Sequence, residues 1–219
     1  MDQELKNSVL KTGTTILGIV CKDGVVMASD RQVTAGGRLV SDKNYVKTIK
    51  INDYLLAGLA GLVSDAQLVE RLVRAELKLK ELRAKSRPTV KQGANLLAKI
   101  VYQNIRKPSP IPGIVAILVG GVDEDGTATF YTVDPSGAMS EVKEYGADGS
   151  GALFVLGLLE RQYKKDITLK QGVELAKEAL MSSTQRDVYS GYGIDIFTIS
   201  KEGIKKVVEQ KIKSELRDQ

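Results

Sequence analysis

Residues 114–133, IVAILVGGVDEDGTATFYTV, read as two β-strands joined by a tight turn. The first strand, Ile114–Asp123, begins with a continuous apolar run, and the second, Thr127–Val133, is rich in β-branched and aromatic residues. Between them, Asp125-Gly126 is a typical hairpin turn. A strand that is apolar on both faces must be buried on both faces. This hairpin therefore predicts a sheet that is covered by another layer on each side.

Strand blocks and helix pairs alternate along the rest of the chain. Further strands are predicted at Thr14–Cys21, Val25–Ser29, Lys47–Asn52, Tyr54–Ala60, about Ala138–Tyr145, Ile194–Ser200 and Ile204–Val208. Helices are predicted at about residues 64–87, 89–106, 150–163 and 168–183. Helix pairs between strand blocks predict an α+β fold, a four-layer αββα sandwich of two antiparallel sheets flanked by helix pairs.

The helices carry specific expectations about their faces and their first turns. In the first helix, one apolar stripe at helical spacing is expected to be buried; it consists of Leu68, Leu72, Ala75, Leu79 and Leu82. Capping boxes are expected at three helix starts, where Ser or Thr precedes Gln by three residues: Ser64 with Gln67, Thr89 with Gln92, and Thr168 with Gln171.

Length and composition limit the class of protein. The 219 residues, 42% of them hydrophobic, suit one large domain. No apolar stretch reaches the roughly 20 residues that a membrane helix needs. The first 13 residues lack the apolar run of a secretory signal, so we expect a cytoplasmic protein without membrane contact. The net charge of +5 is spread out and aromatic residues make up only 5%, which is not typical of nucleic-acid binding.

Two absences narrow the chemistry. The sequence contains no histidine, which excludes Ser-His-Asp and Cys-His hydrolases and His-ligated zinc. It contains one cysteine, Cys21, which excludes intrachain disulfides and Cys-rich metal sites, so no metal is expected. A hydrolytic nucleophile in this chain therefore needs a base other than imidazole.

The chain's own α-amino group can be that base, because its ordinary pKa of about 7.7–8.0 lies near neutrality. This chemistry requires a Ser, Thr or Cys at an N-terminus created by cleavage. The segment KTGTTILGI offers Thr14 after Gly13, behind a short polar leader. From these residues alone, Thr14 and Thr15 are better explained as ordinary strand threonines.

Four segments in order, GTTILGIVCKDGVVMASD, AGLVSDAQ, GSG and QRDVYSGYG, resemble the proteasome β-subunit family, most closely its archaeal type. The resemblance runs from Gly13 to about Val208. The family consists of N-terminal-nucleophile threonine proteases with the αββα fold. It implies that residues 1–13 are a propeptide removed by autocatalytic cleavage and that residues 14–219 form a single β-type domain.

The resemblance also implies roles for residues around Thr14, the nucleophile released by cleavage after Gly13. Asp30 is expected to pair with Lys47, whose charge favours the neutral form of the new α-amine. Lys43 is the alternative lysine, but Lys47 begins the alternating run KTIKIN and shares its inward face with Ile49 and Ile51. Ser150, Asp187 and Ser190 are expected to orient the α-amine by hydrogen bonds.

Substrate binding is implied for a second set of residues. Gly61 is expected to supply a backbone N–H to the oxyanion, and Thr34 to hold the substrate backbone as an added strand. Val33, Leu59 and Val63 are expected to line the pocket for the residue before the scissile bond. Singly, the polar members of the site have ordinary explanations as turn or cap residues. One position departs from the family, since Gln32 stands where Arg is usual.

The resulting interpretation is a threonine endopeptidase subunit that degrades unfolded proteins with broad specificity and needs no cofactor. The resemblance implies seven-membered β-rings, proteasome α-subunit rings, and an ATPase unfoldase that acts through the α-rings. Two alternatives stay open. One is a catalytically silent structural β subunit of the same ring, and the other is a non-proteolytic amidase with the same nucleophile chemistry.

Overall fold

Strands and helices alternate along residues 13–212, the part of the chain that the computed structural model describes. The strands are β1 Ile16–Cys21, β2 Gly24–Asp30, β3 Val33–Ala35, β4 Leu39–Asp42, β5 Thr48–Lys50, β6 Leu55–Gly61, β7 Val115–Val122, β8 Ala128–Val133, β9 Met139–Glu141, β10 Tyr145–Asp148, β11 Gly193–Ser200 and β12 Gly203–Lys211. The helices are α1 Val63–Ala84, α2 Val90–Arg106, α3 Ala152–Gln162 and α4 Leu169–Thr184. The predicted propeptide, apart from Gly13, lies outside the described residues.

The strands form two five-stranded antiparallel sheets, as the sequence predicts. Sheet I has the order β10-β1-β2-β11-β12, and sheet II has the order β5-β6-β7-β8-β9. A separate hairpin joins β3 to β4. Helices α1 and α2 pack against sheet II, and α3 and α4 pack against sheet I. The predicted four-layer sandwich and its helix pairs are therefore confirmed.

Burial on both faces explains the apolar strands from which the fold was predicted. All eight residues of β7 are buried, and so are the first six of β6. Where the sheets face each other, glycines make room for large side chains of the opposite sheet. The ring of Phe130 in sheet II lies over Gly18 of sheet I, and Met27 of sheet I lies over Gly120 of sheet II. A Cβ at either glycine would overlap that side chain, so the sheets could not approach as closely.

The buried face of α1 differs from the prediction. Its buried side chains are Ala66, Val69, Val73 and Leu77. The predicted stripe faces outward instead, with Leu68, Leu72, Leu79 and Leu82 exposed at 42, 42, 44 and 62%. Helix α1 carries two apolar rows at helical spacing, and periodicity cannot decide which one faces the sheet. The tight connection from Gly61 decides it, because Leu62 caps the helix directly and accepts the amide hydrogen of Ala66.

Two of the three predicted capping boxes are present. Thr89 with Gln92 caps α2, and Thr168 with Gln171 caps α4, each with both reciprocal hydrogen bonds. The box predicted at Ser64 is wrong, because α1 begins at Val63 and its cap residue, Leu62, makes no side-chain cap bond. The chain leaves β6 straight into the helix, so Ser64 already lies within the first turn.

A single strand was predicted at about Ala138–Tyr145, but the structure has two strands there, β9 and β10. Strand β9 pairs with β8 in sheet II, whereas β10 pairs with β1 in sheet I. The chain passes from one sheet to the other in the three residues between them, and a local hydrophobicity pattern contains no signal for such a crossing. No helix within residues 13–212 is long and apolar enough to cross a membrane.

The two apolar rows of α1 predict opposite responses to truncation. Leu77 is 3% exposed, so Leu77→Ala should lower the free energy of unfolding by about 2–5 kcal/mol through the cavity it leaves. Leu82→Ala is the matched control on the outer row and should change it by less than about 0.5 kcal/mol. Urea unfolding of the unassembled subunit measures both values. Equal losses for the two variants would contradict this assignment of faces.

Candidate active site

Residues from distant parts of the sequence meet around Gly13 and Thr14 at one end of the sandwich. Both residues are buried, and only Thr15 separates them from the first residue of β1. The antiparallel register places Ile16 opposite Ser29 of β2 and opposite Asp148 of β10. The start of β1 therefore lies beside the ends of both neighbouring strands and beside the loops that follow them.

A buried ion pair lies next to the Gly13–Thr14 peptide bond. The Nζ atom of Lys47 is 2.6 Å from Oδ1 of Asp30, and side-chain exposures are 2% and 0%. The same Nζ donates to the carbonyl oxygen of Gly13 at 3.3 Å. Burial lowers the pKa of Lys47 from its ordinary value, and the opposite charge of Asp30 works against that shift.

These contacts show which of the two candidate lysines lies beside Asp30. Lys47 immediately precedes β5 and reaches into the site, whereas Lys43 lies elsewhere, with its Nζ 4.9 Å from the centre of the Tyr192 ring. The structure thus brings Lys47, and not Lys43, to Asp30.

The Asp30 carboxylate binds three backbone amides in addition to Lys47. Its Oδ1 accepts from Thr15 N at 2.8 Å, and its Oδ2 accepts from Gln32 N at 2.9 Å and from Gly191 N at 3.0 Å. Four donors thus converge on one fully buried carboxyl group. The carboxylate consequently holds together the start of β1, the end of β2, and the loop before β11.

A second polar group lies on the amide side of Thr14. Thr14 N donates to Ser150 Oγ at 3.1 Å, and Ser150 Oγ donates to Oδ2 of Asp187 at 2.6 Å. Ser190 Oγ donates to the same Oδ2, also at 2.6 Å. The hydroxyl of Thr14 itself donates to the carbonyl oxygen of Gly13 at 2.6 Å. The six polar residues to which the resemblance gives catalytic roles thus lie together around one peptide bond.

A small pocket opens beside Thr14. It is lined by Gly13, Thr14, Val33, Tyr45, Lys47, Leu59, Gly61, Val63 and Ala66. Its lining contains the three apolar residues singled out in the sequence and no carboxylate. Tyr45 and Ala66 are additions that sequence reasoning missed: Tyr45 lies outside the quoted motifs, and Ala66 lies within AGLVSDAQ but was given no role there.

Gly61 ends β6 at the edge of this pocket. Its φ of +137° lies in a region that favours glycine, and a Cβ here would overlap the carbonyl oxygen of Ile114 on the neighbouring strand. Glycine is thus required by the backbone at this point, which positions the start of α1 against the pocket.

Thr34 and Gln32, on either side of Val33 in the sequence, also make hydrogen bonds at the site. Thr34 Oγ1 accepts the amide hydrogen of Gly13 at 3.2 Å. The neutral Gln32 is buried, and its Nε2 donates to the carbonyl of Val188 at 3.0 Å. Gln32 therefore tethers the loop that carries Asp187 and Ser190.

Thr15 and Ser183 are further polar residues that the sequence did not reveal. Thr15 Oγ1 lies 2.5 Å from Ser183 Oγ and 2.7 Å from Ser190 Oγ. Ser183 lies near the end of α4, where its spacing looked like that of any helical serine. A threonine in a strand and a serine in a helix carry no signal that they will meet.

Other reactive chemistry is remote from this site. Burial raises the pKa of the Cys21 thiol to about 12, so at neutral pH almost none of it is the nucleophilic thiolate. Within residues 13–212, no three or more Cys, Asp or Glu side chains group in a way that could hold a metal ion.

Comparison with known proteins agrees with this geometry. Residues 10–199 match the family model described as proteasome subunit. The chain belongs to the proteasome subunit family. It is 43% identical over 194 residues to a proteasome subunit beta of Nanoarchaeum equitans, covering 89% of this chain and 96% of that protein. These matches confirm the resemblance to proteasome β subunits.

Two further relatives show the same near-complete coverage. The proteasome subunit beta of Methanocaldococcus fervens is 37% identical over 206 residues, which are 94% of this chain and 90% of that protein. The proteasome subunit beta of Methanosarcina mazei is 37% identical over 210 residues, which are 96% of this chain and 97% of that protein.

The buried ion pair predicts a large loss of stability when its acid is neutralised. Asp30→Asn would leave the Lys47 ammonium buried without a counter-charge, and this should lower the free energy of unfolding by about 3–5 kcal/mol. Asp53→Asn is the matched control, because the Asp53–Lys50 pair is exposed on the surface. That control should change the value by at most about 1 kcal/mol. Urea unfolding measures both, and a small effect of Asp30→Asn would argue against a charged pair.

Proposed function

We propose that this chain is a catalytic β subunit of a proteasome core, a threonine endopeptidase that degrades unfolded polypeptides. The observation that carries the proposal is the environment of one peptide bond. The Thr14 hydroxyl and the Lys47 ammonium both contact the carbonyl oxygen of Gly13, and Ser150 contacts the amide of Thr14. Nucleophile, cation and amide partner are thus assembled around the bond whose cleavage releases Thr14.

Processing proceeds by attack of Thr14 Oγ on the Gly13 carbonyl carbon. The Oγ–C bond forms, the C–N bond breaks, and the hydroxyl proton passes to the Thr14 nitrogen, which gives an ester in place of the amide. Lys47 stabilises the negative charge on the Gly13 oxygen during this step. Water then hydrolyses the ester, releasing residues 1–13 and leaving Thr14 with a free α-amine and a free hydroxyl.

Turnover uses the new α-amine as the base. It accepts the Thr14 hydroxyl proton as Oγ attacks the substrate carbonyl, and it returns that proton to the leaving amine. Lys47 disfavours protonation of the α-amine between cycles. Water cleaves the resulting acyl-ester. We assign the backbone N–H of Gly61 to the developing oxyanion and Thr34 to the substrate backbone. The mechanism uses no cofactor.

Apolar side chains left exposed on both helix layers support assembly with other subunits. They are Leu68, Leu72, Leu79 and Leu82 on α1, with Leu153 and Phe154 on α3 and Met181 on α4. Apolar residues concentrated on outer faces mark contact surfaces. We propose that these layers contact other β subunits of a seven-membered ring and the α-subunit rings, through which an ATPase unfoldase supplies unfolded chains in the cytoplasm.

One observation favours the silent structural subunit as the second candidate. Gln32 replaces the cation implied by the family resemblance, so Lys47 is left as the cation nearest to Asp30. A site with less positive charge stabilises an oxyanion less. The following experiment separates the two candidates.

Removal of the nucleophile is the direct test. In Thr14→Ala, residues 1–13 should stay attached and hydrolysis of fluorogenic peptides by this subunit should disappear, because no hydroxyl can attack Gly13 or substrate. Intact-mass measurement and a peptidase assay on the assembled ring report the two outcomes.

Thr127→Ala is the matched control, since Thr127 is an exposed turn residue, and it should process and hydrolyse normally. Loss of residues 1–13 from pure Thr14→Ala rings would show that Thr14 is not the nucleophile. If this chain keeps residues 1–13 in wild-type rings and those rings are nevertheless fully active, the activity comes from other subunits, and this result would favour the silent subunit.

The pocket lining predicts cleavage preference. Val33, Leu59 and Val63 are apolar, and no acid lines the pocket, so apolar residues before the scissile bond should be preferred over Lys or Arg. The expected difference in transition-state binding free energy, obtained from the ratio of kcat/KM values, is about 1–3 kcal/mol. A peptide panel that varies only this residue measures it, and fastest cleavage after basic residues would rule out the pocket.

A further inference from the structure

A chain of buried hydroxyls runs from helix α4 to the Asp187 carboxylate behind Thr14. Its members are Ser183, Thr15 and Ser190, which are 0, 0 and 4% exposed. We infer that Thr15 and Ser183 are positioning residues that act through this chain to hold the Thr14 nitrogen with its lone pair toward its own hydroxyl. This inference rests on the proposed function, in which that nitrogen is the base.

The directions of the hydrogen bonds follow from counting protons. A carboxylate only accepts, and each hydroxyl has one proton to donate. Ser150 and Ser190 both contact Oδ2 of Asp187 at 2.6 Å, and the other acceptor near Ser150, the Thr14 carbonyl oxygen, is more distant at 3.3 Å, so each serine gives its proton to Asp187. Ser190 then has none left for Thr15 and must accept from it. Thr15 in turn must accept from Ser183.

As a consequence, Ser150 Oγ acts as a hydrogen-bond acceptor toward the nitrogen of Thr14. Because the proton of Ser150 is committed to Asp187, Ser150 Oγ presents a lone pair to Thr14 N, 3.1 Å away. In the cleaved chain an N–H of the α-amine occupies this contact, and the nitrogen lone pair is left for the Thr14 hydroxyl. Reversing the Ser190–Thr15 bond would turn the Ser190 proton away from Asp187, and the carboxylate oxygen that Ser150 contacts would lose one of the two hydroxyl donors that hold it in place.

Thr15 also joins the two halves of the site. Its hydroxyl belongs to the Asp187 chain, while its backbone N–H donates to Asp30 at 2.8 Å. Ser183 is connected twice as well, since its carbonyl oxygen accepts the amide hydrogen of Asp187 at 2.7 Å. The distance between the Lys47–Asp30 pair and the Asp187 group is therefore set through these two residues.

The packing shows that the hydroxyl pair is enclosed. Gly151 lies directly over Thr15 Oγ1 and Ser183 Oγ, and a Cβ at this position would overlap both oxygens. With no room for a side chain above them, the two hydroxyls bond to each other and to Ser190. An unpaired hydroxyl in such a place would be costly, so the chain must remain complete.

Isosteric substitution separates this role from simple packing. Thr15→Val keeps the shape but removes the hydroxyl, so kcat of assembled rings on an apolar fluorogenic peptide should fall about tenfold with KM nearly unchanged. Thr15→Ser restores the donor and should recover most of kcat. Ser183→Ala removes only the outermost donor and should lower kcat about threefold.

Thr48→Val is the matched control. Thr48 is also buried, and its hydroxyl has no hydrogen-bond partner among residues 13–212, so this substitution should leave kcat unchanged. Crystal structures of the Thr15 variants add a readout independent of turnover. Ser190 Oγ or Ser150 Oγ should leave Asp187 in Thr15→Val and keep its place in Thr15→Ser.

The outcomes distinguish the inference from the proposed function. Thr14→Ala rings that hydrolyse peptide normally would overturn the proposed function. Inactive Thr14→Ala rings together with fully active Thr15→Val rings would overturn only the inference. If wild-type rings show no turnover, the crystal structures decide, and unmoved serines in Thr15→Val would refute the positioning role.

Discussion

The carboxylate of Asp30 is the group around which the functional end of this molecule is built. It is fully buried, so its charge must be met by protein donors. Those donors come from separate segments: the residue before β1, the end of β2, the residue before β5, and the loop before β11. A displacement of any one segment leaves a buried charge unsatisfied, and this makes the arrangement cooperative.

The sandwich supplies the frame for that arrangement. Lys47 reaches Asp30 from sheet II, whereas Asp30 belongs to sheet I, so the ion pair is also a contact between the sheets. Close approach of the sheets depends on the glycines opposite Phe130 and Met27. The Lys47–Asp30 ion pair at one end and the glycine contacts in the middle therefore both depend on the same close packing of the two sheets.

Patterns that depend on local sequence predicted most of this structure. Strands buried on both faces predicted the layers, and Thr-x-x-Gln spacing predicted the starts of α2 and α4. The outward face of α1 and the crossing between β9 and β10 could not be predicted, because each is decided by tertiary connection rather than by periodicity. In the site, the residues with assigned roles were found by resemblance. Thr15, Ser183 and Tyr45 were assigned none, because their contacts form only when the fold brings distant segments together.

The hydrogen bond from Gly13 N to Thr34 Oγ1 affects when the site can accept a substrate. Thr34 occupies the position proposed for gripping a substrate backbone, and in this chain it grips the backbone just before Thr14. Under the proposed function, an uncut chain would be its own tethered competitive inhibitor, present at an effective concentration that no free peptide can match. Release of that tether by the proposed cleavage after Gly13 would be irreversible. Each molecule would therefore pass once, and in one direction, from a latent to a competent state.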